Sequence, residues 1–361
     1  MSTVHARNSG TGRMAKSPRP WQARAIMTRH ILAFALALAA NLLLAFATPA
    51  TAASCGGRDL LPALAADQRA ALDQAVAASP YASGNHWRAE KAGSTIDVIG
   101  TLHLYDPRMD AIAARLRPLI AAADEVWLEA TDAEIAQIKD AMARDPALLV
   151  TTGPTLPERL SPDEWQALSA EMSDRGIPAF MVSKFRPWYV TVLLGIPACA
   201  MADSLEGPSG LDHLISGMAK AEGTPTRALE PFDTVFRIFS TLTPEEEIDM
   251  IRLSLAQTTD AEDTFATMIE SYFAENHRAL WEFSRLSALA RAEDPARTAA
   301  DFARMETALL TGRNRDWAGV LRKAAPGKRL VIAVGAAHLG GRDGLLDLLE
   351  ADGYSLTRAP F

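Results

Sequence analysis

The chain opens on a basic, polar stretch that gives way to a nearly unbroken apolar run from Ile31 to Ala47, interrupted at Asn41. Beyond it the apolar positions follow two rhythms. Helical spacing covers 58–78, 107–123 and 209–221, and most of the stretch from Thr243 to about 325. Strand-like runs rich in β-branched residues cover 87–91 and 95–100, with Ala92-Gly-Ser94 as the turn of a hairpin. Shorter strands are expected at 125–129, 177–182 and 226–230. Near the end, 329–335 reads as a buried strand, 345–351 as a helix and 354–358 as a closing strand. Helix starts are signalled by Ser161-Pro-Asp-Glu164 and Thr243-Pro-Glu-Glu246, where the hydroxyl accepts an orphan backbone N–H and the Glu reaches back. Asp132 is placed to cap the helix after 125–129.

Strands alternating with helices predict an α/β fold: a central mixed, mostly parallel sheet flanked by helices, with a long helical insertion between about 232 and 325. No linker of Gly and Ser divides 54–361, which reads as a single domain. Residues 1–53 read as an N-terminal extension and signal peptide. Arg29 and His30 precede the apolar run and small residues follow it in Thr48-Pro-Ala-Thr-Ala-Ala53. Cleavage near Ala53 gives a periplasmic or secreted protein; an uncleaved run gives a membrane-anchored one. A run of about 17 residues is at the short limit for crossing a bilayer. Residues 1–26 are unusual for a signal peptide, so both Met1 and Met27 stand as starts.

Charge sharpens this division. The formal net charge is −8, yet six of the 36 Lys and Arg and none of the 44 acids lie in 1–53. The remaining body is strongly acidic, which excludes nucleic acid as a natural partner, because phosphate binding needs a basic face. Two cysteines, Cys55 and Cys199, exclude a Cys-rich zinc site. Cys55 stands just past the apolar run, so it is open to lipidation or to a disulfide with Cys199.

Chemistry-bearing residues gather at strand ends. His103 follows strand 95–100, Glu129 ends 125–129, Glu230 ends 226–230 and His338 follows 329–335. In open α/β sheets ligands bind beyond the carboxyl ends of strands. Both histidines sit in the same setting, Ile-Gly-Thr-Leu-His103 and Val-Gly-Ala-Ala-His338, where a strand meets a Gly and His comes three residues later. A single Gly-x-x-His is most often a hydrogen-bonded loop residue. Two of them beside strand-end carboxylates point to a site. Imidazoles and a carboxylate suit a divalent transition ion and equally a metal-free acid/base pair. Arg186 and Trp188 read as capping and packing, His213 as a helix-surface residue beside Asp212, and Trp127 as core.

Val98-Ile-Gly-Thr-Leu-His-Leu104 with Val126-Trp-Leu-Glu129, and Val331-Ile-Ala-Val-Gly-Ala-Ala-His-Leu-Gly-Gly-Arg-Asp-Gly-Leu-Leu346, resemble the TraB/GumN family. Lys184-Phe-Arg-Pro-Trp188, Gly210-Leu-Asp212, Ala228-Leu-Glu230 and Gly312-Arg-Asn-Arg315 extend the likeness over about 86–359. That family is related to the Tiki metalloproteases and to ChaN and erythromycin-esterase-like proteins. The resemblance implies a metal-dependent hydrolase of peptide or other amide substrates. His103, Glu129 and His338 would hold manganese, cobalt or zinc. Glu129 or Glu230 would act as base, and Arg313 would stabilise an oxyanion. It equally accommodates a non-enzymatic periplasmic binder of peptide signals or haem, since fold kinship does not fix a reaction. The chain departs from the family at Pro231, where Thr is usual, which bears on how Glu230 is held.

Overall fold

In the computed structural model, residues 55–201, 204, 209–256 and 258–361 are described. The expected signal peptide and both alternative starts lie outside them. Six strands form one sheet: β1 His86–Lys91, β2 Ser94–Thr101, β3 Glu125–Leu128, β4 Thr226–Ala228, β5 Arg329–Gly335 and β6 Ser355–Arg358. Their order is β4-β3-β5-β2-β1-β6. The four neighbours β4, β3, β5 and β2 are mutually parallel, and β1 is antiparallel to both β2 and β6. The sheet is therefore mixed and mostly parallel, as expected from the alternation of strands and helices.

Parallel strands are covered on both faces, so they carry runs of apolar residues rather than an alternation. Leu330 to Val334 of β5 are all buried. One face of the sheet packs Ile99, Val126, Val331 and Ala333 against the helices Met109–Ala121 and Leu211–Glu222. The other packs Ile96, Val98, Leu330 and Ile332 against the helices Gly312–Ala324 and Leu345–Ala351. The β1–β2 hairpin turns through Ala92 and Gly93, both at positive φ, as a two-residue connection requires.

Three expectations need correction. Residues 177–182 do not form a strand: Pro178 has no N–H for a ladder, and its carbonyl instead accepts from Met181 and Val182 to start a short helix, Ala179–Val182. Thr131, not Asp132, caps the helix Asp132–Arg144; its hydroxyl accepts from the Ala133 N–H. Trp127 is half-buried, with its indole N–H donating to Glu125. The boxes at Ser161 and Thr243 form as expected, each with its Glu bonded back.

Helices extend the connection after β3 as well as the one after β4. The β3–β4 helices Pro162–Asp174 and Pro187–Leu194 share a core with the helix Pro244–Leu255 of the insertion, through Leu168, Met172, Val190, Leu193, Ile248 and Ile251. The cap over the sheet thus draws on both connections. Trp188 stacks on Phe239 inside it, and Arg186 precedes its helix, so both serve packing and helix entry. Cys55 and Cys199 form a disulfide, which takes up both cysteines. No helix among the described residues is long and apolar enough to cross a membrane.

One polar device fixes β2 within this apolar sheet. Asp97 is buried and stands directly opposite Arg88, which donates to it at 2.9–3.1 Å, while His86 Nε2 lies 3.2 Å away. Asp97→Ala leaves both partners without their acceptor. The expected cost is about 2–3 kcal/mol, read as a lower denaturant midpoint, with Asp97→Asn losing less.

Candidate active site

The register of the parallel strands sets the site. Thr101 of β2 pairs with Gly335 of β5, so both Gly-x-x-His loops leave the sheet at one level. β3 lies on the other side of β5 and β4 beyond it, and Glu129 and Glu230 follow within two residues of their ends. All four groups therefore emerge at one edge of the sheet.

Gly335 is the point on which three of them converge. A Cβ at that position would lie 3.3 Å from Glu129 Oε1, 3.7 Å from His103 Nε2 and 3.7 Å from His338 Cδ2. The missing side chain leaves a cradle lined by two imidazoles and a carboxylate. The Gly335 N–H donates to Glu129 Oε1 at 2.6 Å and so aims that carboxylate.

Arg313 closes the opposite side. It enters from the helix Gly312–Ala324, directly after a π-helical turn at Thr307–Thr311, a distortion common at functional sites. Its Nη2 donates to Glu129 Oε2 and to Glu230 Oε1, both at 2.7 Å, and its Nε donates to Glu230 Oε2 at 2.9 Å. Its Nη1 donates to the Leu309 carbonyl and to His338 Nε2, each at 3.2 Å. Burial opposes the Arg313 charge, but Glu230 and Glu129 outweigh it and raise its pKa further. Glu230 also accepts from the Trp317 indole N–H at 3.1 Å, so side chains hold it whatever Pro231 does to the local backbone.

The two imidazoles are in opposite states. His338 is buried and packs on Trp317 with ring centroids 4.4 Å apart. Burial, helped by Arg313 and His103, lowers its pKa to about 4, so it is neutral at pH 7. Its tautomer follows from Asn314. The Asn314 amide N donates to the carbonyls of His338 and Asp343, which turns Oδ1 toward His338 Nδ1 at 2.7 Å. Nδ1 therefore carries the proton, and the Nε2 lone pair accepts from Arg313.

His103 is held by Asp212, with Nδ1 3.1 Å from Oδ1. The contact is close but poorly aligned, an ion pair more than a hydrogen bond. Burial works against the charged ring, yet the Asp212 carboxylate and then Glu129 prevail and raise the pKa to about 9. Solvent reaches the outer face of His103, which softens these couplings without reversing them. Burial opposes the Glu129 charge, but the imidazoles of His338 and His103, both cationic in the acid range where Glu129 titrates, together with Arg313 and the Gly335 N–H, lower its pKa to about 2, so it is ionised at pH 7.

Every residue expected at the site, His103, Glu129, Glu230, Arg313 and His338, is thus brought to one place. Asp212 and Asn314 had been assigned no part in it. Asp212 had only His213 as an obvious partner, but neighbours on a helix face apart, and His213 is exposed. Asn314 lay unassigned inside Gly312-Arg-Asn-Arg315, although its place on the buried face with Trp317, Ala318 and Leu321 could have exposed it.

The titrations make the protein without bound metal most stable near pH 6.5. His338 and His277, each lowered from 6.5 to about 4, bind a proton more readily unfolded, so stability rises from pH 4 to 6.5. His103, raised from 6.5 to about 9, has its full effect below 6.5 and loses it as pH climbs through 9. Chemical denaturation across pH checks this, and His103→Gln is expected to flatten the alkaline limb alone. The tautomer is tested separately. Nitrogen NMR of His338 is expected to show Nδ1–H in the native protein and a mixed population in Asn314→Ala.

A search among curated proteins finds no match. A family model described as TraB/PrgY/gumN matches residues 85–358, a span holding all five expected site residues together with Asp212 and Asn314. The chain belongs to the TraB/PrgY/gumN family.

Proposed function

We propose that this protein is an exported, metal-dependent hydrolase acting on a peptide or other amide. The observation that carries this reading is the convergence of His103, Glu129 and His338 on the Gly335 cradle, beside the Arg313 guanidinium. Two nitrogen donors and a carboxylate suit manganese, cobalt or zinc. Both rings are tied at Nδ1, by Asp212 and Asn314, so both Nε2 atoms serve the cradle, as metal-bound histidines are commonly arranged. Arg313 competes for this set, because it donates to both Glu129 and His338. Among the described residues no three His, Cys, Asp or Glu side chains already form a ready cage. Loading the site therefore means drawing Arg313 back toward Glu230.

A bound divalent metal would polarise the amide carbonyl and acidify a water molecule. The chain's own residues divide the rest of the work. Glu129, freed from Arg313, would accept a proton from the attacking water and pass it to the leaving nitrogen as the carbon–nitrogen bond breaks, while Glu230 keeps hold of Arg313. Arg313, displaced from Glu129, would face the oxygen on which negative charge develops. Trp317 and the Leu309 carbonyl hold Arg313 and Glu230 in place. Export is supported by the apolar run Ile31 to Ala47 behind Arg29, and by a disulfide suited to an oxidising compartment.

A second reading, a binder of peptide signals or haem, draws on Arg313 itself. Its guanidinium bonds both carboxylates, which leaves neither as a free base in the metal-free arrangement. One experiment separates the two. Calorimetry with manganese, cobalt and zinc is expected to show near-stoichiometric binding that His103→Ala/His338→Ala abolishes. Cleavage of a peptide library is expected to fall at least about 100-fold in Glu129→Gln. Full turnover in Glu129→Gln, or unchanged metal binding in the double variant, sinks the hydrolase reading.

A further inference from the structure

Two helices of the cap leave a half-open groove between them. Pro244–Leu255 and Pro295–Glu306 run antiparallel, since Arg297 pairs with Asp249 and Arg304 with Glu246. The groove has a volume of about 620 Å³. Its apolar lining comes from Phe239, Leu242, Met250, Leu253, Met305 and Leu309. Both bridging arginines are exposed, and exposed ion pairs are weak, so they do not seal it.

One end of the groove lies at the candidate active site. Leu309 lines it there, and the Leu309 carbonyl accepts from Arg313 Nη1 at 3.2 Å. The other end is marked by Ala256, Glu293 and Asp294, where the helix Pro295–Glu306 begins. That helix has 12 residues and is therefore about 18 Å long. A strand rises about 3.3 Å per residue, so the groove matches about five residues of an extended peptide.

Charge narrows the occupant. Six carboxylates line the groove against three arginines, and Arg252, Arg297 and Arg304 are each paired with an acid already. The excess is concentrated at the outer end. Glu293 is exposed and forms no ion pair among the described residues, because the nearby Arg291 pairs with Asp260 instead. Asp294 caps its helix through the Arg297 N–H. A cleft lined by one sign of charge concentrates ligands of the other. The mixed lining also suits a peptide. Met250 and Met305 adapt to apolar side chains. The carboxylates and the Thr298 hydroxyl offer acceptors to backbone N–H groups, which a wholly apolar occupant would leave unmet.

We infer that this groove docks an extended peptide segment with apolar side chains toward Leu309 and a basic residue at Glu293 and Asp294. That the docked peptide is also a substrate rests on the hydrolase reading; the docking itself does not. In a substrate the basic residue lies about five positions from the inner end of the groove.

The test is calorimetry on the full-length protein without metal, so that cleavage does not contribute. The probes are acetyl-Arg-Arg-Leu-Ala-Leu-Ala-amide and acetyl-Ala-Leu-Ala-Leu-Arg-Arg-amide, each against a counterpart with Glu-Glu in place of Arg-Arg. One basic peptide or both are expected to bind about tenfold more tightly than the acidic counterpart at low salt, with the gap narrowing as salt rises. Leu253→Trp fills the floor of the groove and is expected to weaken the basic peptide about tenfold. Glu293→Lys, at an exposed position, is expected to lower the preference for the basic peptide about threefold or more with an unchanged thermal midpoint, and it decides the matter should Leu253→Trp fail to fold. Equal affinity for basic and acidic peptides overturns the inference. So does native affinity in a folded Leu253→Trp or the full preference in Glu293→Lys, since attraction to the acidic body alone would survive both. Basic peptides that dock as expected, yet stay uncut when manganese, cobalt or zinc is added, support the groove and count against the hydrolase reading alone.

Discussion

The site depends on one half-buried cation. Glu129 and Glu230 arrive at the same edge of the sheet because β3 and β4 are parallel neighbours, and parallel neighbours end together. Two carboxylates so placed and withdrawn from water would repel each other strongly. The Arg313 guanidinium lies between them and donates to both. Its planar fork engages Glu230 through two nitrogens, a geometry that an ammonium group cannot supply. The elements around Arg313 follow from this need. The π-helical turn sets the start of its helix, Trp317 lies beneath the guanidinium, and the Leu309 carbonyl takes a remaining N–H.

The same economy of bonds sorts the histidines. Asn314 stands next to Arg313 in sequence and reaches the far side of His338, so two consecutive residues of one helix grip both nitrogens of that ring. The first turn of the helix Leu211–Glu222 supplies Asp212 to His103. That helix approaches so closely that a Cβ on Gly210 would lie 2.0 Å from the Leu102 carbonyl oxygen, and only glycine leaves room. Leu211 N–H bonds the same carbonyl at 3.0 Å. The Gly210-Leu-Asp212 segment is therefore a brace for the first histidine loop.

Much of this was legible in the chain itself. The runs 95–100 and 329–335 announced buried strands, and a Gly at each exit located the two histidine loops. Glu129 was visible because a short apolar strand ends on it. The partners of these groups were not visible, for a physical reason. An ion pair between Asp212 and His103, or a hydrogen bond between Arg313 and Glu230, joins residues that only the sheet order brings together, and strand order is set by long-range packing. Local pattern misled at 177–182, where an apolar stretch of strand-like composition contains Pro178. The share of the β3–β4 connection in the cap was hidden too, since amphipathic helices announce an apolar face and not the surface it meets.

Under the metal-dependent reading, Arg313 has two occupations that exclude each other. It can neutralise Glu129 and bond His338 Nε2, or it can yield both to a metal and retain Glu230 alone. The first gives both carboxylates a cationic partner without any metal ion, so the fold does not need metal to keep them ionised. The second moves a cation that was a structural counter-charge to the position where an oxyanion would form. Loading and activation would then be one event, driven by the difference between a guanidinium and a metal as partners for the same lone pairs. Glu230 is the pivot of that exchange. It alone bonds Arg313 through two nitrogens and is anchored independently by Trp317, so it can hold the guanidinium while Glu129 and His338 change partners.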